Sequence, residues 1–350
     1  MGLGIYLQAL PPALAVDFGQ RAEKAGFDSA WFSEITFGDA FVPATAVATR
    51  TEQIALATGI VGIWARSLVT TAMTAATLHA LSGERLVLGL GLQSRTYVDN
   101  WHGSHYRRPL QAMREAVTIL RRILDGEAVT FEGEIFRVQG FQLKMQPPET
   151  RVPIYVAAIG EKAIELAGEV ADGLLGSFYS LPYVEQVVLP ALERGAARAG
   201  RTLDGFDVAC GFPAIVGPDG VEQDKGQVVM FATAIASAPP YQRSIELAGF
   251  ERELRAIQAR VADGDPIGAM GLVPDELSDA LTISGPVAHV RDRIAAYHAA
   301  GLSTVVLNPS VPGGLFPLYE GHFPEGSPLP DFDFPGLLEV IDRTIAMGPS

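Results

Sequence analysis

A chain of 350 residues that is 48% hydrophobic and 19% charged has the material for a large buried core, which excludes a disordered or fibrous protein. Its 26 basic and 40 acidic side chains leave a formal charge of −14, which argues against wrapping nucleic acid or lying on an anionic membrane. The single cysteine, Cys210, cannot form an internal disulfide, the start lacks a signal-peptide pattern, and no stretch reaches the ~20 apolar residues that span a bilayer, so a cytoplasmic enzyme is expected.

In chain order, short apolar runs at 3–8, 29–33, 54–61, 86–90, 154–158, 173–177, 208–216 and 304–308 read as strands. Most are continuous rather than alternating, the pattern of strands covered on both faces in a parallel sheet. After the first, Leu14, Phe18, Ala22 and Ala25 form one helical stripe that Gly26 terminates. Pro109 opens a later helix striped by Met113, Val117, Leu120 and Leu124 and stopped by Asp125-Gly126. One junction recurs. Lys24-Ala25-Gly26-Phe27-Asp28 and Ala299-Ala300-Gly301-Leu302-Ser303 each end a helix on glycine and drop into an apolar run, the αβ half of a repeating βα unit. About eight such strands predict a closed (β/α)8 barrel rather than an open sheet.

The spacing leaves room for insertions near 92–108, 127–152 and 217–285, and for a C-terminal loop plus helix over 309–350. Within them, 129–138 reads as a hairpin turning at Glu132-Gly133-Glu134, and 246–261 and 336–347 read as helices. No stretch has a linker's composition, so 1–350 reads as a single domain.

The active site of such a barrel lies at the C-terminal ends of its strands. Tyr6 and Gln8 follow the first strand, Glu34 the second, and Gly59-Ile60-Val61-Gly62 with Trp64 and Arg66 the third. Gln93, Tyr97, His102 and His105 follow the fourth, and Phe178, Tyr179 and Ser180 the sixth. Gly89, Gly91 and Ser94 form a broken glycine pattern without the acidic partner of a dinucleotide fingerprint, so they read as turn formers. The run Ala158-Ile159-Gly160-Glu161-Lys162 is a tight turn opening a helix, which is either an anion site of free backbone N–H groups or an ordinary βα turn. His102 and His105 lie in a loop with no acidic partner and read as surface or substrate contacts, so no metal is expected. Glu34 is a general acid or base, a helix cap, or the partner of an arginine. Cys210, within an apolar strand, reads as core.

Four stretches carry a resemblance: Ala25-Gly26-Phe27-Asp28-Ser29-Ala30-Trp31-Phe32-Ser33-Glu34, Ile54-Ala55-Leu56-Ala57-Thr58-Gly59-Ile60, residues 78–91 around Leu81-Ser82-Gly83-Glu84-Arg85-Leu86, and residues 154–173, ending Gly168-Glu169-Val170-Ala171-Asp172-Gly173. In order and spacing the chain resembles the luciferase-like flavin and deazaflavin oxidoreductases over nearly its whole length. The last stretch is most similar to the branch that uses coenzyme F420, methylenetetrahydromethanopterin reductase included. The resemblance implies an α/β (β/α)8 TIM barrel with insertions, a homodimer, and hydride transfer between F420 and a small-molecule substrate. FMN, serving a monooxygenase on the same fold, is the alternative cofactor, and a catalytically silent flavin- or deazaflavin-binding protein is a third reading.

The resemblance also assigns a site. It implies a cofactor ring leaning on a third-strand bulge at a non-proline cis peptide, here Gly59-Ile60, and a phosphate at Ala158, Ile159, Gly160 and Glu161. Glu34, Gln93 and Tyr97 complete the implied cofactor site, with Glu34 and Gln93 as catalytic residues, and with Tyr97 and Tyr179 as further candidate proton donors. Arg66, Arg95, Arg107 and Arg108 are candidates for a local positive field in an acidic chain. The chain departs from the family's sugar-phosphate dehydrogenases, which have Asp-His where this sequence has Glu34-Ile35 and a glutamate near Gln93. Their acid/base pair, and with it that activity, does not carry over. The 217–285 insertion and the 309–332 loop are expected to shape a pocket for a substrate that the sequence does not name.

Overall fold

The structure, a computed structural model, describes residues 1–349 apart from 9, 36–37, 147, 236–238 and 312–332, without the side chains of 234, 235 and 239. The predicted 309–332 loop therefore lies mostly outside the described residues. Eight parallel strands close into a barrel: Gly2–Tyr6, Ser29–Phe32, Ala55–Thr58, Leu86–Gly91, Ile154–Ala157, Gly173–Ser177, Asp207–Ala214 and Thr304–Pro309. Each pairs with the next, and the eighth returns to the first with Leu3 opposite Val305. Every predicted strand is present, with ends that agree or shift by at most three residues. Closure follows from the sequence pattern, because both faces of each run are apolar and only a ring wrapped in helices buries both.

The helical stripes pack as their periodicity requires. Phe18 and Ala22 of the helix Pro12–Ala25 are buried, and Gly26 ends that helix at φ +92, a left-handed conformation that glycine adopts without a Cβ clash. Met113, Val117, Leu120 and Leu124 all face the core from the helix Pro109–Leu124. Inside the barrel, Trp31 occupies the axis, its ring 6.1 Å from Tyr6 above and 6.3 Å from Tyr155. These side chains fill the lumen at that level.

The predicted hairpin is antiparallel, Val129–Glu132 with Arg137–Phe141, and reaches three residues further than expected. Glu115 explains the tight turn: its buried carboxylate accepts the backbone N–H groups of Glu134, Ile135 and Phe136 at 2.8–3.0 Å. Residues 217–285 build a second apolar cluster of their own, including Val228, Phe231, Ile257, Leu277 and Leu281. The helix expected around 246–261 is two helices, Pro239–Leu247 and Glu251–Ala262, with Gly249 at φ +90 between them. This cluster docks on the loop after the sixth strand, where Phe178 stacks on Phe231 at 4.1 Å and Ser244 exchanges hydrogen bonds with the backbone and side chain of Ser180. No helix among the described residues is long and apolar enough to cross a membrane.

Candidate active site at the barrel mouth

The third strand stops at Thr58 and resumes only as Val61–Gly62, beside Leu90–Gly91 of the fourth. Thr58 replaces the missing ladder bonds with its side chain, whose Oγ1 accepts from the Gly89 N–H and donates to the Gly89 carbonyl, both at 2.8 Å. The peptide bond between Gly59 and Ile60 is cis, as the resemblance implied. The two carbonyls of this segment are held from the second strand: Ser33 Oγ reaches the Gly59 oxygen at 2.7 Å, and the Glu34 N–H donates to the Ile60 oxygen at 3.1 Å. Ser33 Oγ is also 2.7 Å from Gln8 Oε1, and Gln8 Nε2 donates to Asn308 Oδ1. A polar belt thus ties the ends of the eighth, first, second and third strands.

Around that segment three glycines let neighbouring side chains lie against the backbone. A Cβ at Gly59 would lie 2.5 Å from the Tyr6 hydroxyl, one at Gly62 would lie 2.2 Å from Gln93 Oε1, and one at Gly91 would lie 2.5 Å from Ile60 Cδ1. Gln93 itself has φ +54, and its Oε1 is buried without a hydrogen-bond partner among the described residues. A buried acceptor left unsatisfied beside the break in the third strand is a place for a donor from outside the chain.

Glu34 belongs to an ion-pair cluster. Its Oε2 takes Arg66 Nη2 at 2.5 Å, and the same nitrogen reaches Asp39, while the guanidinium lies 5.2 Å from the Phe41 ring. Burial works against the Arg66 charge, but its bonds to Glu34 and Asp39 outweigh that and hold its pKa above the ordinary value. Of the other arginines named from the sequence, Arg95 pairs with Asp99 and covers Tyr106, whereas Arg107 and Arg108 reach Glu134 of the hairpin. Tyr97 stacks on the half-exposed Trp101 at 3.9 Å, and Trp64 packs on Tyr106 at 5.1 Å, so the insertion after the fourth strand forms an aromatic flap.

The turn at 158–161 shows why it is more than a connection. The hydroxyl of Tyr179 donates to the Ala158 carbonyl, and that of Tyr183 donates to the Ile159 carbonyl at 2.5 Å. Gly160 is the N-cap of the helix Glu161–Val170 and brings no side-chain cap, so the first-turn amides are not claimed by a capping side chain. With both carbonyls tied off by tyrosines, the turn presents N–H groups to whatever approaches it, the electrostatics of an anion site. Beside it, Lys162, Arg194 and Arg198 surround the buried Glu165, and Arg194 also takes Glu161, leaving one positive charge in excess in that cluster. The sequence does not show these three cations as one group, because they come from two helices, nor the tyrosine clamp, which depends on the sixth strand lying beside the fifth.

The remaining sequence candidates are accounted for. Cys210 is fully buried, and burial pushes its thiol well above the usual range. His102 and His105 join no cluster of three or more metal-ligating side chains among the described residues. Tyr6, read from the sequence only as following the first strand, stands centrally in the mouth.

The comparisons agree with this geometry. An uncharacterised protein of Mycobacterium tuberculosis is 32% identical over 292 residues, covering 79% of this chain and 84% of that one. A 5,10-methylenetetrahydromethanopterin reductase of Archaeoglobus fulgidus is 31% identical over 291 residues, covering 81% and 86%. The solved coenzyme F420 dependent tetrahydromethanopterin reductase from Methanopyrus kandleri superposes with a TM-score of 0.76 at 26% identity, covering 88% of this chain and 92% of that one. The family model described as luciferase-like monooxygenase matches residues 3–304, and the chain belongs to that family.

Proposed function

We propose that this protein is an oxidoreductase that transfers a hydride between coenzyme F420 and a small organic substrate at the barrel mouth. The observation that carries the reading is the pair of features at that mouth: a broken third strand with an unsatisfied acceptor beside it, and an N–H-presenting turn beside a cationic cluster. Together they fit a flat ring that bears hydrogen-bond donors and an anionic tail. The similarity to reductases described as using F420 supports the choice of cofactor. When bound, the deazaflavin supplies two-electron hydride chemistry.

In this reading Gly59 and Ile60 back the ring, Gln93 accepts a hydrogen bond from it, and Glu34 and Tyr97 line its edge. In the turn of Ala158, Ile159, Gly160 and Glu161, the last three hold the phosphate through backbone N–H groups, while the Ala158 N–H stays bonded to the Leu175 carbonyl. Glu34, tied to Arg66, acts as a charged positioning group and Gln93 as a polar contact at the reacting centre. The 217–285 insertion, docked through Phe178 and Ser180, walls the substrate side. A single catalytic domain, working in the cytoplasm as a homodimer, completes the proposal.

The test is a titration of the purified protein with F420 and with FMN, repeated on Gly160→Asp. Aspartate is a favoured N-cap, and Gly160 has φ −73 and ψ 142, which any residue adopts. The variant therefore folds, with only a 3.2 Å approach of its Cβ to the Pro240 side chain to absorb. Its carboxylate would occupy the amides offered to phosphate, so F420 affinity is expected to fall at least 100-fold. Unchanged affinity in the folded variant would move the phosphate elsewhere, and tight FMN binding without F420 binding would overturn the cofactor.

A further inference from the structure

Four groups named above as proton donors or polar contacts are already committed. Glu34 is ion-paired with Arg66, Gln93 has no acidic proton, Tyr97 is stacked on Trp101 in the flap, and the Tyr179 hydroxyl is given to the Ala158 carbonyl. Tyr6 stands instead at the end of the first strand, against the break in the third. Its hydroxyl has no hydrogen-bond partner among the described residues, and the side chain is only partly covered. It projects from the end of the first strand over the filled lumen, stacked against Trp31, with Gly59 on one side and Gly211 on the other. Both neighbours are glycines because the phenol occupies the positions their side chains would take, which brings the Tyr6 hydroxyl against the backbone where the third strand breaks.

We propose that Tyr6 is the catalytic hydrogen-bond and proton donor of this site, and that the substrate is a neutral ketone or aldehyde, or in the reverse direction the corresponding alcohol, whose oxygen rests on the Tyr6 hydroxyl. The proposal rests on the hydride-transfer reading above. Its chemistry balances. As the hydride adds to the carbonyl carbon, the C=O electron pair moves to oxygen, the Tyr6 O–H bond breaks, and its proton completes the alcohol. The carbonyl gains two electrons and the cofactor loses two, and the phenolate recovers a proton from solvent at the mouth.

Burial, with Cys210 nearby, raises the Tyr6 pKa strongly, so the group stays a neutral donor throughout the physiological range. An alkoxide is a stronger base than even this phenolate, so proton transfer runs downhill once the hydride has arrived. A cationic iminium substrate fits less well. It gains nothing from a neutral donor, and the nearby carboxylates Glu34 and Asp39 both point to Arg66.

Tyr6→Phe keeps the ring that packs on Trp31 and removes only the hydroxyl. Reduced F420 is presented with propan-2-one, cyclohexanone and benzaldehyde in single-turnover measurements, with F420 affinity measured separately. A second sample carries 3-fluorotyrosine at position 6 and is followed by fluorine NMR as the same ketones are added to the protein without cofactor and with oxidised F420. The expected result is unchanged F420 affinity in Tyr6→Phe, hydride transfer slower by at least 100-fold, a ketone-dependent shift of the fluorine signal, and an alkaline limb of the fluorotyrosine protein's rate profile moved to lower pH. Equal rates in Tyr6→Phe, or a fluorine signal blind to ketones, would overturn the role of Tyr6 while leaving F420 binding intact. Hydride transfer to imines but to no carbonyl compound would overturn the substrate class. Failure of the unaltered protein to bind F420 would bring down the hydride-transfer reading itself, and this proposal with it.

Discussion

Glu34 and Asp39 converge on one guanidinium at the edge of the mouth, and that arrangement sets what each can do. A carboxylate held at 2.5 Å by Arg66 keeps its charge and its direction. Glu34→Ala is expected to cost about 1.5 kcal/mol of stability, the scale of one hydrogen bond to a charged group, measured by urea unfolding. Part of the loss is spared because Asp39 still holds Arg66. A change below ~0.3 kcal/mol would show that the pair is solvent-screened and structurally idle. From the sequence Glu34 is legible as a charged residue after a strand, and its pairing with an arginine is one of the three readings open there. Its specific partner, 32 residues away, is set by the return of the third strand beside the second. Tyr6 was legible only as a position, because its distinguishing property is an unpartnered hydroxyl fitted against Gly59 and Gly211, which arrive from two other strands.

At the scale of elements, the eight strands were legible because a run apolar on both faces has few places to go, and the glycine-ended helices marked where each begins. What escaped the sequence were interactions between elements that local pattern does not encode. Glu165 is the clearest case. It sits on the inner side of the helix Glu161–Val170, nearly fully buried, where a periodic pattern asks for an apolar residue. Arg194 and Arg198 arrive from the neighbouring helix Leu189–Arg198 and Lys162 from its own.

The bond from Arg194, opposed by burial and supported by Lys162 and Arg198, lowers the Glu165 carboxyl from 4.5 to about 2. A depressed folded pKa means stability that is present above the unfolded value and lost as pH falls from about 4.5 toward 2. Glu165→Gln should therefore be destabilised by about 3 kcal/mol at pH 7, with the deficit shrinking below pH 4.5. A deficit that does not change with pH would mean that Glu165 contributes by packing alone.

On the scale of the whole molecule, the barrel and the 217–285 insertion meet at a buried carboxyl. Asp224 precedes the helix Lys225–Met230, is fully buried, and accepts the Ser284 hydroxyl at 2.5 Å, with Ser310 beyond the eighth strand as a further donor. Its Oδ1 has no partner among the described residues. Burial, only partly offset by the two serines, pushes the group from 3.8 up to about 7. The sign is the reverse of Glu165. The unfolded chain loses this proton near 3.8, whereas the folded protein keeps it until about 7, so across that window the folded state binds more protons and stability falls as pH rises. The cost is absent below the unfolded pKa, grows through the window, and is complete above about 7, where it amounts to a few kcal/mol, on the order of 1.4 kcal/mol for each pH unit crossed. Asp224→Asn keeps an acceptor for Ser284 and removes the charge. Relative to the unaltered protein, the variant should gain stability steadily between pH 4 and 7 and hold a constant advantage above that, read from urea unfolding at pH 5, 6, 7 and 8. Comparing the two proteins at each pH cancels the histidines, which titrate alike in both. A difference that stays flat from pH 5 to 8 would place the Asp224 carboxyl back in the ordinary range, and the joint between insertion and barrel would then be held by a charged group rather than a neutral one.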